Sequence, residues 1–417
     1  MKKFWSLLLC AVMLIHICGC EAAQTKESGH AVTLTLACWV SDTQVQELAD
    51  QFNELHADYQ IQIKSYFTGD GNVDAALDRM NAELVSGDRP DLFYLDSMDV
   101  MALVNSGILA DLKPFMENDE GFSASDYFSN IWEAFELGGA LYELAPCFNI
   151  ACFYGPKTLL GDRKGWTCSE AEQFITENKE SEPLFRIGRT DMMTYLAQFS
   201  VQNYIDIEKG TCNFETDSFY ELLKLAKSFP VSGSAEYVIY DGWLQNFVDY
   251  YDARITLGGP LTLVGYPSEG ADGPCAMALT SFGIGAATEH PDACWDFLKL
   301  MLTEENQQEI WDSWGFPISK EVLRKELYSA TLDGSDPESL LYQWYGDAGK
   351  EKTPLDTEES EYLLQVIEAI SAARLRYEDV TNIILSEAQA YFHEDKTEEE
   401  TTKIIQNRVS IFLSEQQ

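Results

Sequence analysis

The chain has few basic residues and very few histidines. Its 417 residues include 28 Lys and Arg against 69 Asp and Glu, with 5 histidines, and the formal net charge is −41. A negative field of this size repels nucleic acid and anionic lipid. It also disfavours a phosphorylated or polyanionic ligand unless a local basic pocket outweighs the average. We therefore expect no nucleic-acid partner, and we attribute the acidity mainly to solubility.

Metal-binding and catalytic signatures are absent as well. The sequence has no Cys-x-x-Cys pair and its histidines are scattered, so no metal site is predicted. It also lacks the Gly-x-Ser-x-Gly, His-Glu-x-x-His and glycine-rich phosphate-binding motifs. No local pattern places two carboxylates opposite one another, as glycoside hydrolysis requires. We predict a protein that is not an enzyme and uses no cofactor.

Long apolar runs are absent after the N-terminal segment, so no later segment is predicted to span a membrane. The N terminus begins with two lysines and continues with a short apolar stretch over residues 7–17, the pattern of an export signal. It ends in Ile-Cys-Gly-Cys, which resembles a bacterial lipobox. By that resemblance residues 1–19 are a lipoprotein signal peptide, Cys20 carries the lipid, and residues 20–30 form a flexible tether. A plain secretory signal or an uncleaved anchor is the alternative.

Ten cysteines at first indicate a disulfide framework, because exported proteins usually meet an oxidising compartment. Three of them belong to the predicted signal and lipidation site. The remaining seven are Cys38, Cys147, Cys152, Cys168, Cys212, Cys275 and Cys294. Seven is an odd number, and several of these cysteines stand in apolar surroundings typical of core thiols. We predict mostly free, buried thiols.

The first part of the mature chain alternates between strand and helix patterns. Residues 32–38, 59–67 and 92–95 have the apolar or alternating character of strands. Between them, residues 45–55 and 73–85 place apolar side chains at helical spacing. The predicted core positions of the first helix are Val45, Leu48, Ala49, Phe52 and Leu55. Such an alternation predicts a parallel sheet with crossover helices.

Ligands of open parallel sheets bind beyond the carboxyl ends of the strands. The candidate contacts at these ends are Trp39, Asp42, Tyr66 and Asp96. Trp39 could instead cap the core, and Asp42 could serve only as a helix N-cap. Asp96 favours a binding role, because a carboxylate just past a buried strand is costly unless it is solvated or paired.

Several segments, in order along the chain, carry a family resemblance. Residues 89–96 (Arg-Pro-Asp-Leu-Phe-Tyr-Leu-Asp) continue into a Gly-hydrophobic-Leu stretch within 103–112, and residues 282–297 lead from a strand into an Ala-x-x-Phe helix. Other matching segments are 139–146, 166–170, 253–260, 266–267, 303–317 and 380–413. Together with the lipobox, this order resembles the family 1 extracellular solute-binding proteins, the maltose-binding-protein-like, ligand-capturing subunits of ABC importers.

The resemblance implies an α/β fold of the two-lobed, type II periplasmic-binding-protein kind, in which each lobe is a sheet flanked by helices. Residues 31–146 with 276–317 would form the first lobe, and residues 147–275 with 318–417 the second. The predicted crossings between the lobes lie near Pro146, Cys275 and Pro317. Ligand would bind in the interlobe cleft, which would close by hinge motion.

The resemblance also adds candidate contacts beyond the first lobe. Asn149 follows the first crossing, and Arg189 and Tyr195 lie where a second-lobe helix begins. Residues 253–260 resemble a strand, after which maltose-binding members present a stacking tryptophan, whereas this chain has Leu261. A replacement platform would come from Trp243, Tyr240 or Tyr377.

Sugars present apolar faces and rings of hydroxyl groups, so a sugar site needs aromatic platforms together with carboxylates or amides. The chain has 9 Trp, 20 Tyr and 22 Phe. We predict a protein that captures a sugar or oligosaccharide, delivers it to the transmembrane subunits of an ABC permease, and is held at the extracellular face of the cell membrane by its lipid. The alternatives are a binding protein for a peptide or polyamine and, third, a surface glycoside hydrolase.

Overall fold

The computed structural model describes residues 31–40, 43–67, 69, 72–178, 184–206, 209–313 and 315–415. The predicted signal peptide, the lipidation site Cys20, the tether and the candidate contact Asp42 lie outside these residues. Within the described ranges, no helix combines the length and the apolar character that a membrane span would need.

The strands of the described residues form two main sheets and one small two-stranded sheet. They are β1 Val32–Cys38, β2 Tyr59–Ser65, β3 Leu92–Tyr94, β4 Cys147–Pro156, β5 Ile205–Asp206, β6 Thr211–Cys212, β7 Tyr240–Leu244, β8 Leu261–Val264, β9 Cys275–Met277, β10 Phe282–Ile284 and β11 Phe316–Pro317. The sheets therefore draw on segments that are far apart in the sequence.

The helices pack around these sheets. They are α1 Thr43–Leu55, α2 Val73–Ser86, α3 Val100–Asn105, α4 Lys113–Asn118, α5 Ser129–Ala134, α6 Lys157–Leu160, α7 Cys168–Glu177, α8 Arg189–Ser200, α9 Asp217–Ser228, α10 Phe247–Leu257, α11 Pro291–Leu300, α12 Glu304–Ser313, α13 Lys320–Ser329, α14 Leu340–Tyr345, α15 Thr357–Glu368, α16 Glu378–Phe392 and α17 Glu398–Glu415. Short 3₁₀ turns cover Ala124–Asp126, Val201–Tyr204 and Gly346–Glu351.

The first sheet has the order β10-β3-β1-β2. β1 pairs in parallel with β2 and β3, and β10 joins β3 in antiparallel orientation. The predicted strands and the parallel sheet are therefore confirmed, and the carboxyl ends of β1, β2 and β3 lie at one edge. The α/β fold class predicted from the sequence is confirmed as well.

The first two helices form for reasons visible in the sequence. α1 buries Val45, Leu48, Ala49 and Phe52 as the spacing predicts, whereas Leu55 at its end is 64% exposed. α2 begins at the N-cap Asn72, whose side chain accepts a hydrogen bond from the Ala75 amide at 3.0 Å. It ends at Gly87, which has the left-handed backbone conformation (φ 104°) that glycine adopts without strain.

The second sheet is built around β4. β7, β8, β9 and β11 all pair with β4, and each pairing is antiparallel. Because β10 belongs to the first sheet and β9 to the second, the chain crosses between the sheets after Met277. The lobe boundaries given above stay a prediction.

One predicted strand is a helix. Residues 253–257 belong to α10, and the following strand, β8, begins only at Leu261. The side chain of Asn246 caps α10 by accepting hydrogen bonds from the amides of Val248 and Asp249, and Gly258 ends it in the left-handed conformation. These two caps outweigh the strand preference of the β-branched pair Ile-Thr within the segment. The predicted strand at residues 253–257 is therefore wrong.

Six cysteines of the described residues, Cys147, Cys152, Cys168, Cys212, Cys275 and Cys294, are free thiols, and Cys38 is buried like all of these except the half-buried Cys212. Burial raises the pKa of Cys168, Cys275 and Cys294 to about 12. The prediction of free, buried thiols is confirmed.

Candidate functional site

A crevice of about 790 Å³ opens at the carboxyl end of β3. One wall is formed by α2 and by the turn after β3, and the other by the segment that leads into α16. Its main polar wall residues are Asp74, Asn81, Asp96, Ser97, Asp99, Ser106, Arg374, Arg376, Glu378 and Asp379. Leu77, Met80, Leu84 and Leu103 provide apolar surface. The crevice therefore lies between the first sheet and the C-terminal part of the chain.

The turn after β3 is shaped by its own backbone. Ser97 has a left-handed conformation (φ 56°), which is uncommon for a residue other than glycine and is often found at functional sites. The Met98 amide donates to the carbonyl oxygen of Leu95 at 3.1 Å, and the side chain of Asp99 accepts from the Ala102 amide at 2.9 Å to cap α3. These bonds fix both Asp96 and Asp99 at the crevice wall.

Two of the predicted contacts meet at this edge. The indole Nε1 of Trp39 donates a hydrogen bond to Oδ2 of Asp96 at 3.0 Å, and the Trp39 ring stands edge-on to Phe67 with 6.1 Å between ring centroids. The Ser97 hydroxyl donates to the other carboxylate oxygen of Asp96 at 3.3 Å. The Trp39–Asp96 pair therefore joins the carboxyl ends of β1 and β3, as the parallel sheet predicts.

Tyr66 lies in the core rather than at the crevice. It is 6% exposed, its hydroxyl donates to Asp88 at 3.4 Å, and its carbonyl oxygen accepts two hydrogen bonds from the Arg79 guanidinium. Burial raises the pKa of the Tyr66 hydroxyl. These contacts give Tyr66 a structural role at the end of β2.

Asn149 is a fully buried residue of β4, opposite Met277 of β9. Among the residues that the structure describes, neither its amide nitrogen nor its amide oxygen has a hydrogen-bond partner. Met277 in turn lies against Arg374 of the crevice wall, whose Nη1 is 3.8 Å from the Met277 sulfur. Asn149 is thus an unsatisfied polar group near the crevice but not in its wall.

Arg189 and Tyr195, the predicted contacts on α8, do not line the crevice. The Arg189 guanidinium lies 5.9 Å from the Phe392 ring centroid and donates to the Phe392 carbonyl oxygen at 3.4 Å. The Tyr195 hydroxyl donates to Asp241 at 2.8 Å, and its ring stacks on Tyr266 with 5.0 Å between centroids. Both side chains are engaged within the second sheet and its helices.

The three candidate replacement platforms lie in different environments. Tyr240 is not part of the crevice wall and stacks on Tyr154 of β4, with 5.4 Å between ring centroids. Trp243 is 44% exposed on β7, opposite Ala151 of β4, and is not part of the crevice wall. Tyr377 is 3% exposed and directly precedes α16, and its hydroxyl has no hydrogen-bond partner in the structure. Burial, and then the negative charge of Asp99, raise the pKa of this hydroxyl.

Sequence reasoning missed the second wall of the crevice. Nη2 of Arg376 donates to Glu143 at 3.2 Å, to the Ser281 hydroxyl at 2.9 Å and to the Ala278 carbonyl oxygen at 3.3 Å, and Nη1 donates to the Leu95 carbonyl oxygen. Arg374 donates to Glu378 at 2.8 Å. In the sequence, this wall was indicated only by the two arginines of the motif Arg-Leu-Arg, which stand directly before a helix with an acidic first turn.

The crevice is electronegative. Five carboxylates and two guanidinium groups lie in its wall. The pKa of Asp99 is raised to about 6, first by burial and then by the charges of Asp379 and Glu378, against the opposing hydrogen bond from the Ala102 amide. Within the part of the chain that the structure describes, no group of His, Cys, Asp or Glu could hold a metal ion. The arrangement suits the binding of a hydrogen-bonding or cationic solute.

Comparison with known proteins agrees with this picture. Residues 40–150 match the family described as bacterial extracellular solute-binding protein. No curated protein matches the chain by sequence.

Similar solved structures include the sugar-binding protein MalE from Xanthomonas citri, with a TM-score of 0.61, 13% identity and coverage of 92% of this chain and 98% of that one. The cyclic α-maltosyl-1,6-maltose binding protein from Arthrobacter globiformis has a TM-score of 0.57, 14% identity, and coverage of 92% and 100%. An ABC substrate-binding protein from Listeria monocytogenes in complex with cycloalternan has a TM-score of 0.56, 15% identity, and coverage of 92% and 99%. The resemblance predicted from the sequence is therefore confirmed: residues 40–150 match the bacterial extracellular solute-binding protein family, and the chain has the two-lobed fold of its MalE-like, maltose-binding-protein-like members.

Proposed function

We propose that the protein is an extracellular solute-binding lipoprotein of an ABC importer, which captures a sugar or oligosaccharide in the crevice and delivers it to a permease. The observation that carries this proposal is the Trp39–Asp96 pair at the carboxyl ends of β1 and β3, beside a crevice of about 790 Å³. An indole face next to a carboxylate provides the apolar surface and the hydrogen-bond acceptor that a sugar ring requires.

The solved structures of similar fold support a carbohydrate ligand. Their descriptions name cycloalternan, a cyclic maltosyl-maltose, α-D-tagatose and maltose as ligands of those proteins. At 14–16% identity they are evidence of fold alone. The carbohydrate is therefore proposed for this chain on the chemistry of the Trp39–Asp96 pair, of which Asp96 lines the crevice, with these ligands as support.

Thermal unfolding with a ligand panel tests the proposal. Neutral mono- and oligosaccharides, short peptides and polyamines would each be added to the purified protein, because a ligand that binds the native state raises its melting temperature. We expect a carbohydrate to give the largest rise, to be recovered unchanged, and to make the protein more compact in small-angle scattering. A rise only with peptides would overturn the carbohydrate assignment. Turnover of a glycoside, abolished by Asp96→Asn, would establish the hydrolase instead.

The lipid anchor has its own test. In cells expressing Cys20→Ala, we expect the protein in the medium rather than in the membrane fraction, with its solute affinity unchanged. Metabolic labelling with a fatty acid should mark the unmodified protein and leave the variant unlabelled. Equal labelling of both, or membrane retention of the variant, would contradict lipidation at Cys20.

A further inference from the structure

A second cavity, of about 420 Å³, lies on the opposite face of the segment that leads into α16. This segment is extended: Ala373 bridges in parallel to Ala276, and the Arg374 amide donates to the Ala276 carbonyl oxygen at 2.8 Å. Successive side chains of an extended segment point to opposite faces. Arg374 and Arg376 accordingly line the crevice, whereas Ala373 and Leu375 line the second cavity. The two spaces share no wall residue and are separate sites.

Three parts of the chain enclose this second cavity. One is the end of α5 with the turn that follows it, within residues 133–137, and another is the end of α8 with the following 3₁₀ turn, within residues 196–203. The third is the loop after β8, within residues 266–272. Ile131 of α5 packs in the core around β1, whereas Leu196 of α8 packs in a separate core. A molecule in the cavity would therefore contact both halves of the protein.

Apolar side chains cover one part of the cavity wall. The ring of Phe199 stacks on that of Tyr266, with 4.6 Å between ring centroids and 14° between ring planes, and both residues line the cavity. Leu137 and Leu196 add aliphatic surface. Aromatic and aliphatic surface of this kind suits the C–H groups of a sugar ring.

The polar part of the wall offers a hydrogen-bond acceptor that lacks a donor. The side chain of Gln202 is oriented by its amide nitrogen, which donates to the Phe199 carbonyl oxygen at 3.0 Å. Its amide oxygen is buried and has no hydrogen-bond partner among the described residues. A buried acceptor without a donor destabilises the folded protein. A hydroxyl group that reaches this oxygen from the cavity would remove that cost.

The charges of the wall exclude an anionic occupant and do not require a cation. Within the described part of the chain, the wall contains no Lys, Arg or His. Glu136 accepts a hydrogen bond from Lys113 at 2.8 Å, and Asp272 accepts one from the Ser268 hydroxyl at 2.7 Å. Glu133, the third wall carboxylate, is exposed, so water and salt screen its charge. The wall therefore suits a molecule with several hydrogen-bond donors and no net charge.

We propose that this cavity is a second binding site, which takes a small neutral molecule rich in hydroxyl groups, such as a monosaccharide or a cyclitol. Each hydroxyl donates one hydrogen bond, so such a molecule can satisfy the Gln202 oxygen and the carboxylates of Glu133 and Asp272. Its C–H groups would lie against Phe199. The volume of the cavity is within the range of small-molecule sites. The second site is separate from the crevice that would hold the transported solute, and it does not depend on that function.

Calorimetric titration of the purified protein with D-glucose, D-xylose and myo-inositol tests the proposal. We expect at least one of these three probes to bind with a Kd below about 10 mM. Gln202→Leu should weaken that binding about fivefold, because one hydrogen bond is lost. Glu133→Gln changes an exposed position outside the core and should weaken the binding roughly twofold or more.

Two control variants separate the second cavity from the crevice and from general effects on folding. The amide nitrogen of Gln343 also donates to a backbone carbonyl oxygen at 3.0 Å, and Gln343 lies outside the cavity wall. Gln343→Leu should therefore leave probe binding unchanged. Asp96→Asn changes the crevice and should leave the Kd of the probe within about twofold.

A loss of probe binding in Asp96→Asn but not in Gln202→Leu would place the probe in the crevice, which would overturn the second site and support the proposed function. If spermidine bound more tightly than the three probes and lost affinity in Glu133→Gln, the assignment of a neutral occupant would be wrong. Binding of none of the three probes at about 10 mM would overturn the second site and leave the proposed function standing.

Discussion

Nη2 of Arg376 donates a hydrogen bond to the carboxylate of Glu143 at 3.2 Å, and their side chains are only 10% and 4% exposed. The Ser281 hydroxyl donates to the same carboxylate oxygen at 2.7 Å. Arg376 stands just before α16, Glu143 just before β4 and Ser281 just before β10. This buried cluster therefore ties the C-terminal part of the chain to the segments that lead into β4 and β10.

Removing one member of this cluster should destabilise the protein strongly. Arg376→Met leaves Glu143 buried without a cation, which typically costs about 3–5 kcal/mol. Urea unfolding measures the loss. The double variant Arg376→Met with Glu143→Leu should recover part of it, because neither charge is then left alone. Arg324→Met, which breaks an exposed pair with Glu368, should cost less than about 1 kcal/mol. A similarly small loss for Arg376→Met would contradict the assigned role of the cluster.

The Trp39–Asp96 hydrogen bond should matter for solute binding. Trp39→Phe keeps an aromatic ring but removes the indole N–H that orients Asp96. Because a hydrogen bond contributes about 1 kcal/mol, we expect the solute affinity to fall roughly fivefold. Trp295→Phe is the matched control, since Trp295 Nε1 donates to Asp119 at the same distance of 3.0 Å away from the crevice. We expect the affinity measured by calorimetry to fall only for Trp39→Phe. An equal fall in both variants would indicate a general effect on folding.

Asp99 should make the ligand-free protein more stable in mild acid than at neutral pH. Its pKa of about 6 in the folded state lies above the value of about 3.9 in an unfolded chain. The folded state therefore binds the proton more tightly, and stability falls as the pH rises from about 4 to about 6. We expect a contribution of about 1–2 kcal/mol, because the carboxyl group stays partly solvated.

Asp99→Asn removes this titration while it retains the helix cap. The difference in unfolding free energy between the variant and the parent protein should grow in favour of the variant as the pH rises through about 6. Urea unfolding at a series of pH values measures that difference. A difference that does not change with pH would contradict the raised pKa that burial, and then the charges of Asp379 and Glu378, give Asp99.

The thiols should react in an order set by burial. Only the thiolate attacks maleimide, and burial raises the pKa of the thiols of Cys168, Cys275 and Cys294 to about 12, so native protein should label slowly. Cys212 is half-buried and should label first. Mass spectrometry of a Cys20→Ser protein, with and without urea, gives the order, and Cys212→Ser should remove the early labelling. Rapid native labelling of Cys275 would contradict the burial of this thiol.

Short-range patterns were sufficient to predict which strand ends meet in the candidate site. Trp39 and Asp96 meet because the carboxyl ends of parallel strands share an edge, and that rule needs only the strand and helix periods. The error at residues 253–257 arose because the strand was predicted from the family resemblance, whereas the caps Asn246 and Gly258 stabilise a helix there. Local periodicity therefore predicts an element more reliably when its caps are considered as well.

The second wall of the crevice was beyond such reasoning. Arg376 contacts Leu95, Glu143 and Ser281, which lie 281, 233 and 95 residues away in the sequence. The side chain of a charged residue before a helix is usually solvated, and no local sequence pattern predicts which of these side chains is buried instead. Likewise, the sequence placed Asn149 near a crossing but gave no sign that both polar atoms of its amide would lack partners.

The pairing at the start of β4 has a consequence for how the chain can move. Its first residues pair with Pro317 through Cys147 and with Met277 through Asn149, and Ala276 of β9 also bridges in parallel to Ala373. Every described segment that passes between the two sheets is therefore hydrogen-bonded, directly or through one neighbour, to the same short stretch of backbone. We therefore expect these segments to bend together, so that the predicted closure of the lobes would follow one shared axis.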